Sequence, residues 1–233
     1  MHLVDFHAHI LPNADHGSSS LECSMKQVAY ALRKGIREIV ATPHFYPHRH
    51  DVDKFLQRRK HAYKTLTHAV RDQYGDDAPK IRLGAEVLLC PGIENLGELD
   101  ALCIEGTRVL LLELPFHSLS ADEKVTVSRL IKMGYTILLA HVDRYQAEDI
   151  EFLVAKGARM QLNAEALSHF ITPAMVASWI EQDLIYALGS DIHDEDDKAY
   201  ARFVRAERKL KRYLPQLHER ARALLQPTKA RVQ

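Results

Sequence analysis

The chain has 233 residues, enough for one domain with a substantial hydrophobic core. Its formal net charge is zero, so the overall charge gives no reason to expect a nucleic acid partner. No apolar run reaches the roughly 20 residues that span a bilayer. We therefore expect a single domain over residues 1–233 that neither binds nucleic acid nor inserts into a membrane.

The three cysteines, Cys23, Cys90 and Cys103, are odd in number and widely spaced. This pattern argues against a disulfide framework and against a thiolate zinc site, and it favours a reducing compartment. The N-terminus lacks the basic region and long apolar stretch of a signal peptide. A cytoplasmic location is the expectation.

Short apolar runs predict buried strands, and segments with helical spacing lie between most of them. In chain order the predicted elements are strand 3–6, helix 20–35, strand 37–42, helix 51–71, strand 81–89, strand 108–114, helix 120–134, strand 136–141, helix 148–157, strand 159–164 and strand 184–190.

This alternation predicts an α/β fold with a parallel sheet and crossover helices. The strand runs are continuously apolar, as expected when both faces of a sheet are covered. Seven such units predict an irregular barrel related to the eight-stranded α/β barrel. From Ala199 onward, ten Lys and Arg stand against two Asp and Glu, and this segment predicts one or two basic amphipathic helices.

Side chains that commonly bind metals stand at or near the C-terminal ends of the predicted strands. In α/β barrels these ends converge on one mouth, where the active site lies. Eight such side chains from six strands are therefore expected to meet in one cavity. They are His7, His9, His44, Glu86, Glu113, His141, Asp191 and His193.

The spacing of these residues favours a metal cluster. His7 and His9 are two apart, so both point the same way from a strand, and Asp191 and His193 repeat the pattern. Glutamates within apolar runs are costly if buried without a partner. Mixed imidazole and carboxylate ligands suit manganese, iron or zinc.

Each residue alone permits a structural explanation. A histidine after a strand often caps a helix or makes a hydrogen bond in the core, and a buried glutamate can pair with arginine, for which Arg82 and Arg108 are available. The combination of two spaced pairs, two buried glutamates and two further histidines favours the metal cluster.

Seven stretches resemble, in order, the polymerase-and-histidinol-phosphatase (PHP) family of metal-dependent phosphoesterases. They are DFHAHILP, ATPHF, GAEV, LLLELP, LLAHVDRY, LNAEAL and GSDIHD, and the resemblance covers about residues 4–194. It is strongest to the bacterial manganese-dependent protein-tyrosine phosphatases of capsule and exopolysaccharide synthesis. The implied fold is the PHP fold, a distorted (βα)7 TIM-like barrel.

The resemblance also implies two or three divalent ions, most readily Mn²⁺, with Fe or Zn as alternatives. The family would place His7, His9, Glu86 and Asp191 around one ion, Glu86, Glu113 and His141 around a second, and His44 and His193 around a third.

The candidate catalytic residues are Arg144, His44 and Asp191. Arg144 would contact the substrate phosphate, a metal-bridging hydroxide would attack phosphorus, and His44 or His193 would protonate the leaving group. The implied partner is a phosphotyrosine protein, such as a tyrosine kinase of the exopolysaccharide system. An oligomer is also possible in such a family.

Two departures from the family pattern stand out. In the sequence NADHG, His16 occupies the position where the third ion's aspartate is expected, so we take His16 as a candidate ligand. Soon after the last motif the family tends to have arginine and prolines, whereas this chain reads HDEDDKAYAR, and Glu195 to Asp197 would repel a phosphate if they faced it.

Three other functions remain open at the level of sequence. The same core could hydrolyse a small phosphoester such as histidinol phosphate, since only the pocket rim separates these substrates. An amidohydrolase also begins with H-x-H, although it commonly has a bridging lysine at a strand end where this chain has Glu113. A catalytically weak, metal-binding interaction protein is the fourth possibility.

Overall fold

A computed structural model describes residues 3–168, 170–196 and 198–227 of the chain. It has parallel strands alternating with helices. The strands are β1 Leu3–Ala8, β2 Ile36–Ala41, β3 His44–Phe45, β4 Lys80–Leu83, β5 Glu86–Leu88, β6 Val109–Glu113, β7 Thr136–Leu139, β8 Arg159–Asn163 and β9 Ile185–Gly189. The helices are α1 Leu21–Arg33, α2 Val52–Tyr74, α3 Leu99–Leu102, α4 Ala121–Lys132, α5 Ala147–Ala155, α6 Ala174–Glu181, α7 Ala199–Lys209 and α8 Leu214–Leu224.

The nine strands form seven strand segments, because two segments are interrupted: the predicted strand 81–89 is divided, and β3 continues beyond the predicted strand 37–42. β2 and β3 are separated by Thr42 and Pro43, and β4 and β5 by Gly84 and Ala85. The interruptions divide the ladder into two sheets, in the orders β1-β2-β4 and β3-β5-β6-β7-β8-β9. All strand pairs within these sheets are parallel.

The segment after the last strand, β9, lies beside the end of the first strand, β1. A parallel bridge joins Ala8 to Ile192, and the Asp191 N–H donates to the His7 carbonyl over 2.8 Å. The predicted distorted seven-stranded barrel is therefore confirmed, with its irregularity at the two interruptions.

Local sequence explains where the long helices begin. Ser20 caps α1 by accepting the Cys23 N–H, and Asp51 caps α2 by accepting the Lys54 N–H. Ser120 and Glu123 form a reciprocal capping box at the start of α4. The predicted helices lie at these positions, whereas α6 and the short α3 were not predicted.

A buried aspartate fastens the seam between the first and last strands. Asp5 accepts the Ser190 N–H at 2.8 Å and the Ser190 hydroxyl at 2.6 Å. Complete burial raises the pKa of Asp5 to about 6, against the opposing effect of the hydrogen bonds from Ser190. The seam carries His7 on one side and Asp191 on the other, so Asp5 helps to fix both relative to each other.

The basic C-terminal segment packs against the barrel. Phe203 of α7 and Leu217 of α8 are buried. A small apolar cluster contains Leu224 of α8 together with residues of strands that are not neighbours in the ladder, such as Val40 of β2 and Leu138 of β7. Among the described helices, none combines the length and apolarity that a membrane span requires.

A carboxyl group is buried between α7 and α8. Glu207 is 8% exposed, and its Oε1 lies 3.5 Å from His218 Nε2. Burial raises the pKa of Glu207 from 4.5 to about 7. The folded protein therefore holds this proton more tightly than the unfolded chain does. The stability that results is complete below pH 4.5 and is lost as the pH rises through about 7.

We expect Glu207→Gln to stabilise the protein at pH 8 but not at pH 4.5, because glutamine remains neutral where the buried carboxylate is ionised. The expected gain at pH 8 is about 2 kcal/mol, equivalent to a rise in Tm of roughly 4–8 °C. Thermal unfolding at both pH values measures it, with the exposed Glu219→Gln on α8 as the control. An equal effect of Glu207→Gln at the two pH values would contradict this prediction.

Candidate metal centre

The barrel brings the nine predicted ligands to one mouth. His7 and His9 come from the end of β1, His44 from β3, Glu86 from β5 and Glu113 from β6. His141, Asp191 and His193 lie just beyond β7 and β9, and His16 lies in the loop after β1. Residues far apart in sequence thus meet as the sequence pattern predicted.

Glu86 lies at the middle of the cluster and is completely buried. Its Oε1 is 2.6 Å from His141 Nε2. Its Oε2 is 2.9 Å from His44 Nδ1, 3.1 Å from His7 Nε2 and 3.3 Å from His9 Nε2. Four imidazoles therefore converge on one carboxylate.

Asp191 faces the same two histidines from the opposite end of the chain. Its Oδ1 lies 3.5 Å from His7 Nε2 and 3.4 Å from His9 Nε2. Its Oδ2 pairs with Arg144 Nη2 at 2.5 Å and accepts a hydrogen bond from Asn163 Nδ2 at 2.9 Å. Arg144 thus adjoins the cluster through Asp191, and not through Asp143 or Glu148.

The arginines that could have paired with the buried glutamates are engaged elsewhere. Arg82 pairs with Glu38, and Arg108 lies 3.2 Å from Asp100. The structural explanation of Glu86 by an arginine partner therefore does not apply.

Asp15 supports the cluster from behind, a role that the sequence did not reveal. The His9 Nδ1 donates to Asp15 Oδ2 over 2.6 Å, which leaves His9 Nε2 directed at Glu86 and Asp191. The same Oδ2 accepts the His44 N–H at 2.9 Å. A carboxylate behind a histidine fixes the tautomer and ring orientation of a metal ligand.

Gln161 and Tyr145 hold two further histidines, and they too were missed. The Gln161 side-chain oxygen lies 3.2 Å from His7 Nδ1 and accepts the His141 N–H at 2.8 Å. The Tyr145 hydroxyl forms a hydrogen bond of 3.1 Å with His141 Nδ1. Gln161 could have been found from the sequence, because Gln161 and Asn163 are polar residues two apart within a predicted buried strand.

The charges in the cluster reinforce one another. Burial lowers the pKa of His44, but Glu113 and Glu86 outweigh burial and raise this pKa to about 9. Burial raises the pKa of Glu86, yet His7, His141 and His44 hold it well below its ordinary value. Glu86 is therefore ionised, and it favours positive charge in the space between the histidines.

The donor atoms fit divalent ions. Four groups of three side chains each place their ligand atoms within 4.8 Å of one another. The groups are His7, His9 and Asp191; His7, Glu86 and His141; His44, Glu86 and Glu113; and His9, His44 and His193. Four buried atoms of the cluster also lack a partner in hydrogen-bonding geometry, despite the short distances between some of them: His44 Nδ1, Glu86 Oε2, Glu113 Oε2 and His193 Nε2. Unsatisfied buried donors and acceptors are costly, and cations between them remove that cost.

An open cleft of about 460 Å³ leads to the cluster. Its lining includes His16, His44, Glu113, Arg144 and His193. The His16 ring lies 4.7 Å from that of His44 and 5.0 Å from that of His193, measured between centroids. Arg144 is the one arginine of the described residues that lines this cleft.

The acidic stretch after the last motif is largely neutralised. Glu195 pairs with Lys26 at 2.9 Å, and Asp196 pairs with Arg202 at 2.6 Å. Asp197 lies outside the described residues. Repulsion of a phosphate by Glu195 and Asp196 is therefore offset by these cations.

Comparison with known proteins identifies the family. The model of the family described as "Capsular polysaccharide synthesis, CpsB/CapC" matches residues 3–222. The chain belongs to the CpsB/CapC family. The PHP-type resemblance of the motifs agrees with this assignment.

Curated relatives of this CpsB/CapC chain carry phosphatase names. Tyrosine-protein phosphatase CpsB of Streptococcus pneumoniae is 25% identical over 216 residues, covering 84% of this chain and 85% of the relative. Tyrosine-protein phosphatase YwqE of Bacillus subtilis is 29% identical over 210 residues, covering 82% of this chain and 78% of the relative.

Solved structures agree with the fold. A chain from the crystal structures of YwqE of B. subtilis and CpsB of S. pneumoniae, described as unique metal-dependent tyrosine phosphatases, matches with a TM-score of 0.76 and 25% identity. The match covers 97% of this chain and 100% of the other. A β-aspartyl dipeptidase of Fervidobacterium islandicum, at TM-score 0.51 and 15% identity, covers 100% of this chain and 76% of its own and shares the fold alone.

We expect Mn²⁺ to raise the Tm of the protein and Glu86→Gln to abolish most of that rise. An ion bound only by the folded state stabilises it, by about 2.7 kcal/mol at 100 times the dissociation constant. Glutamine at position 86 removes the carboxylate that faces four histidines. Thermal unfolding with and without Mn²⁺ measures both effects.

The control for this test is Glu151→Gln, an exposed glutamate on α5. It should retain the full Mn²⁺-dependent rise in Tm. A Glu86→Gln protein stabilised by Mn²⁺ as much as the wild type would contradict the metal centre.

Proposed function

We propose that this chain is a metal-dependent protein-tyrosine phosphatase that regulates capsule or exopolysaccharide synthesis. The observation that carries the proposal is the buried cluster of histidines and carboxylates with Arg144 at its edge, in a member of the CpsB/CapC family. The names of the relatives support the choice of phosphotyrosine.

Two or three divalent ions, preferably Mn²⁺, are the proposed cofactors. His7, His9, Glu86 and Asp191 would hold one ion. The remaining proposed ligands are Glu113, His141, His44, His193 and His16. Such ions, when bound, supply a hydroxide nucleophile near neutral pH and Lewis-acid stabilisation of phosphoryl oxygens.

Arg144 is the proposed phosphate-binding residue. Its side chain is 39% exposed, so it is open to the cleft while its Nη2 is held by Asp191. A guanidinium can donate to two phosphate oxygens at once and stabilises the charge that develops on them. The pairing with Asp191 orients this group beside the metal ligands before substrate arrives.

His44 is the proposed proton donor to the leaving group, with His193 as the alternative; the role falls to whichever of the two is not committed to an ion. Both line the cleft. The Nδ1 of His44 faces Glu86 and Glu113, which leaves Nε2 for the proton. Tyrosine has an ordinary pKa near 10, so its phenolate needs only modest assistance to leave.

The proposed physiological substrate is a phosphotyrosine protein, such as a tyrosine kinase of the exopolysaccharide system. The open cleft suits a side chain presented by a protein better than it suits complete enclosure of a small metabolite. We propose a cytoplasmic setting, supported by three free cysteines, of which Cys23 and Cys103 are buried.

We expect Mn²⁺-dependent release of phosphate from a phosphotyrosine peptide, abolished by chelator and by His9→Ala. The His9 ring contributes to two of the candidate ligand groups, so its loss disrupts the cluster. Phosphate release is measured against a panel of small phosphoesters. Preference for one small phosphoester would mean that the substrate is a small metabolite and not a phosphotyrosine protein. Metal binding without any turnover would favour a non-catalytic role.

Arg144→Lys is expected to lower kcat/KM on the phosphotyrosine peptide on the order of 100-fold, because an ammonium cannot donate to two oxygens in the same plane. The Mn²⁺ affinity, measured in parallel by calorimetry, shows whether the substitution also disturbs metal binding through Asp191, the partner of Arg144. The exposed Arg71→Lys on α2 should behave as the wild type. Unchanged kcat/KM in Arg144→Lys would exclude this role.

A further inference from the structure

A second cavity adjoins the metal-lined cleft. It measures about 280 Å³ and lies between the loop after β6 and the segment 144–149. Arg144 lines both this cavity and the cleft, so the two spaces adjoin at this residue. A group attached to a phosphate on Arg144 could therefore extend into the second cavity.

The cavity has an aromatic wall that the fold does not require. Phe116 is 79% exposed, although it is large and apolar. Its ring lies 6.0 Å from the ring of Tyr145, at 41°, a common geometry for interacting aromatic pairs. Leu114 and Leu119 are buried and complete the apolar lining. A phenylalanine with most of its surface open, at the edge of a cleft, is typical of a binding surface.

Tyr145 makes this wall rigid and connects it to the metal centre. Its hydroxyl accepts the Leu114 N–H at 3.2 Å and forms a hydrogen bond of 3.1 Å with His141 Nδ1. The wall is therefore fixed with respect to a proposed metal ligand.

The acidic group in this cavity is already satisfied. Asp149 accepts the Leu119 N–H at 2.9 Å and pairs with Lys124 at 2.8 Å. The lining thus combines Arg144 with an apolar and aromatic surface and with two polar side chains that have partners of their own. His117 lies 3.2 Å from Glu123, and Gln146 accepts a hydrogen bond from the Ser118 hydroxyl. This combination suits a flat, uncharged ring that carries a phosphate at one end.

We propose that this cavity receives the phenyl ring of the substrate phosphotyrosine and that Phe116 is a specificity-determining residue. The proposal rests on the phosphotyrosine phosphatase function proposed above. The phosphate binds at Arg144 while the ring packs against Phe116. A phosphoserine side chain carries no ring, so it gains nothing from this surface.

The test compares Phe116→Ala with the wild type in the Mn²⁺-loaded, full-length protein. The kcat/KM on a phosphotyrosine peptide should fall about tenfold, while that on the matching phosphoserine peptide should change less than twofold. Phe116→Tyr should restore the activity because it restores the ring. Phe152→Ala on α5, outside both cavities, serves as the matched control.

Calorimetry supplies a readout without turnover. The same peptide with a non-hydrolysable difluorophosphonate in place of the phosphate should bind Phe116→Ala about tenfold more weakly, whereas inorganic phosphate should bind both proteins equally. A Phe116→Ala protein with unchanged affinity and kcat/KM for the aromatic ligands would overturn the proposal, and so would an equal loss with inorganic phosphate.

The same experiment separates the two proposals. If the wild type cleaves the phosphotyrosine peptide and Phe116→Ala does so equally well, the proposed cavity is wrong and the phosphatase function stands. If the wild type releases no phosphate from that peptide, the phosphatase function fails and the cavity proposal fails with it.

Discussion

The convergence of four imidazoles on the buried carboxylate of Glu86 is the interaction on which the rest of the site depends. An isolated carboxylate at this depth would be strongly destabilising, and so would charged imidazoles packed against each other. The carboxylate and the imidazoles offset each other's charge. Even so, polar atoms such as Glu86 Oε2 and His44 Nδ1 lack partners in hydrogen-bonding geometry. The barrel supplies this geometry because β5 lies beside β3 in the ladder and both end at the mouth that β1 and β7 share.

The residues behind the ligands matter as much as the ligands themselves. Asp15 orients His9, Gln161 contacts both His7 and His141, and Tyr145 holds His141 from the other side. Tyr145 also forms the wall against which Phe116 packs. The orientation of one candidate ligand is thus coupled to the shape of the neighbouring cavity, through a single phenol.

The sequence predicted the strands, the long helices and the convergence of the ligands because those features follow from periodicity and from position at strand ends. It did not predict the interruption at Gly84 and Ala85, since a continuous apolar run gives no sign that a strand changes sheet. The roles of Asp15 and His16 could not be separated by spacing alone, because neighbouring loop residues point in directions that only the folded loop sets. The partner of Arg144 was likewise hidden, since Asp191 is 47 residues away in the chain.

The seam between β1 and the segment after β9 has a consequence for the biosynthesis of the protein. His7 and Asp191, which meet there, lie near opposite ends of the described sequence. During synthesis His7 and His9 are made long before Asp191. A nascent chain that stops before residue 190 lacks Ser190 and Asp191, and hence both the hydrogen bonds that fasten the seam and the carboxylate that faces His7. Synthesis through residue 191 is therefore a precondition for assembling the cluster.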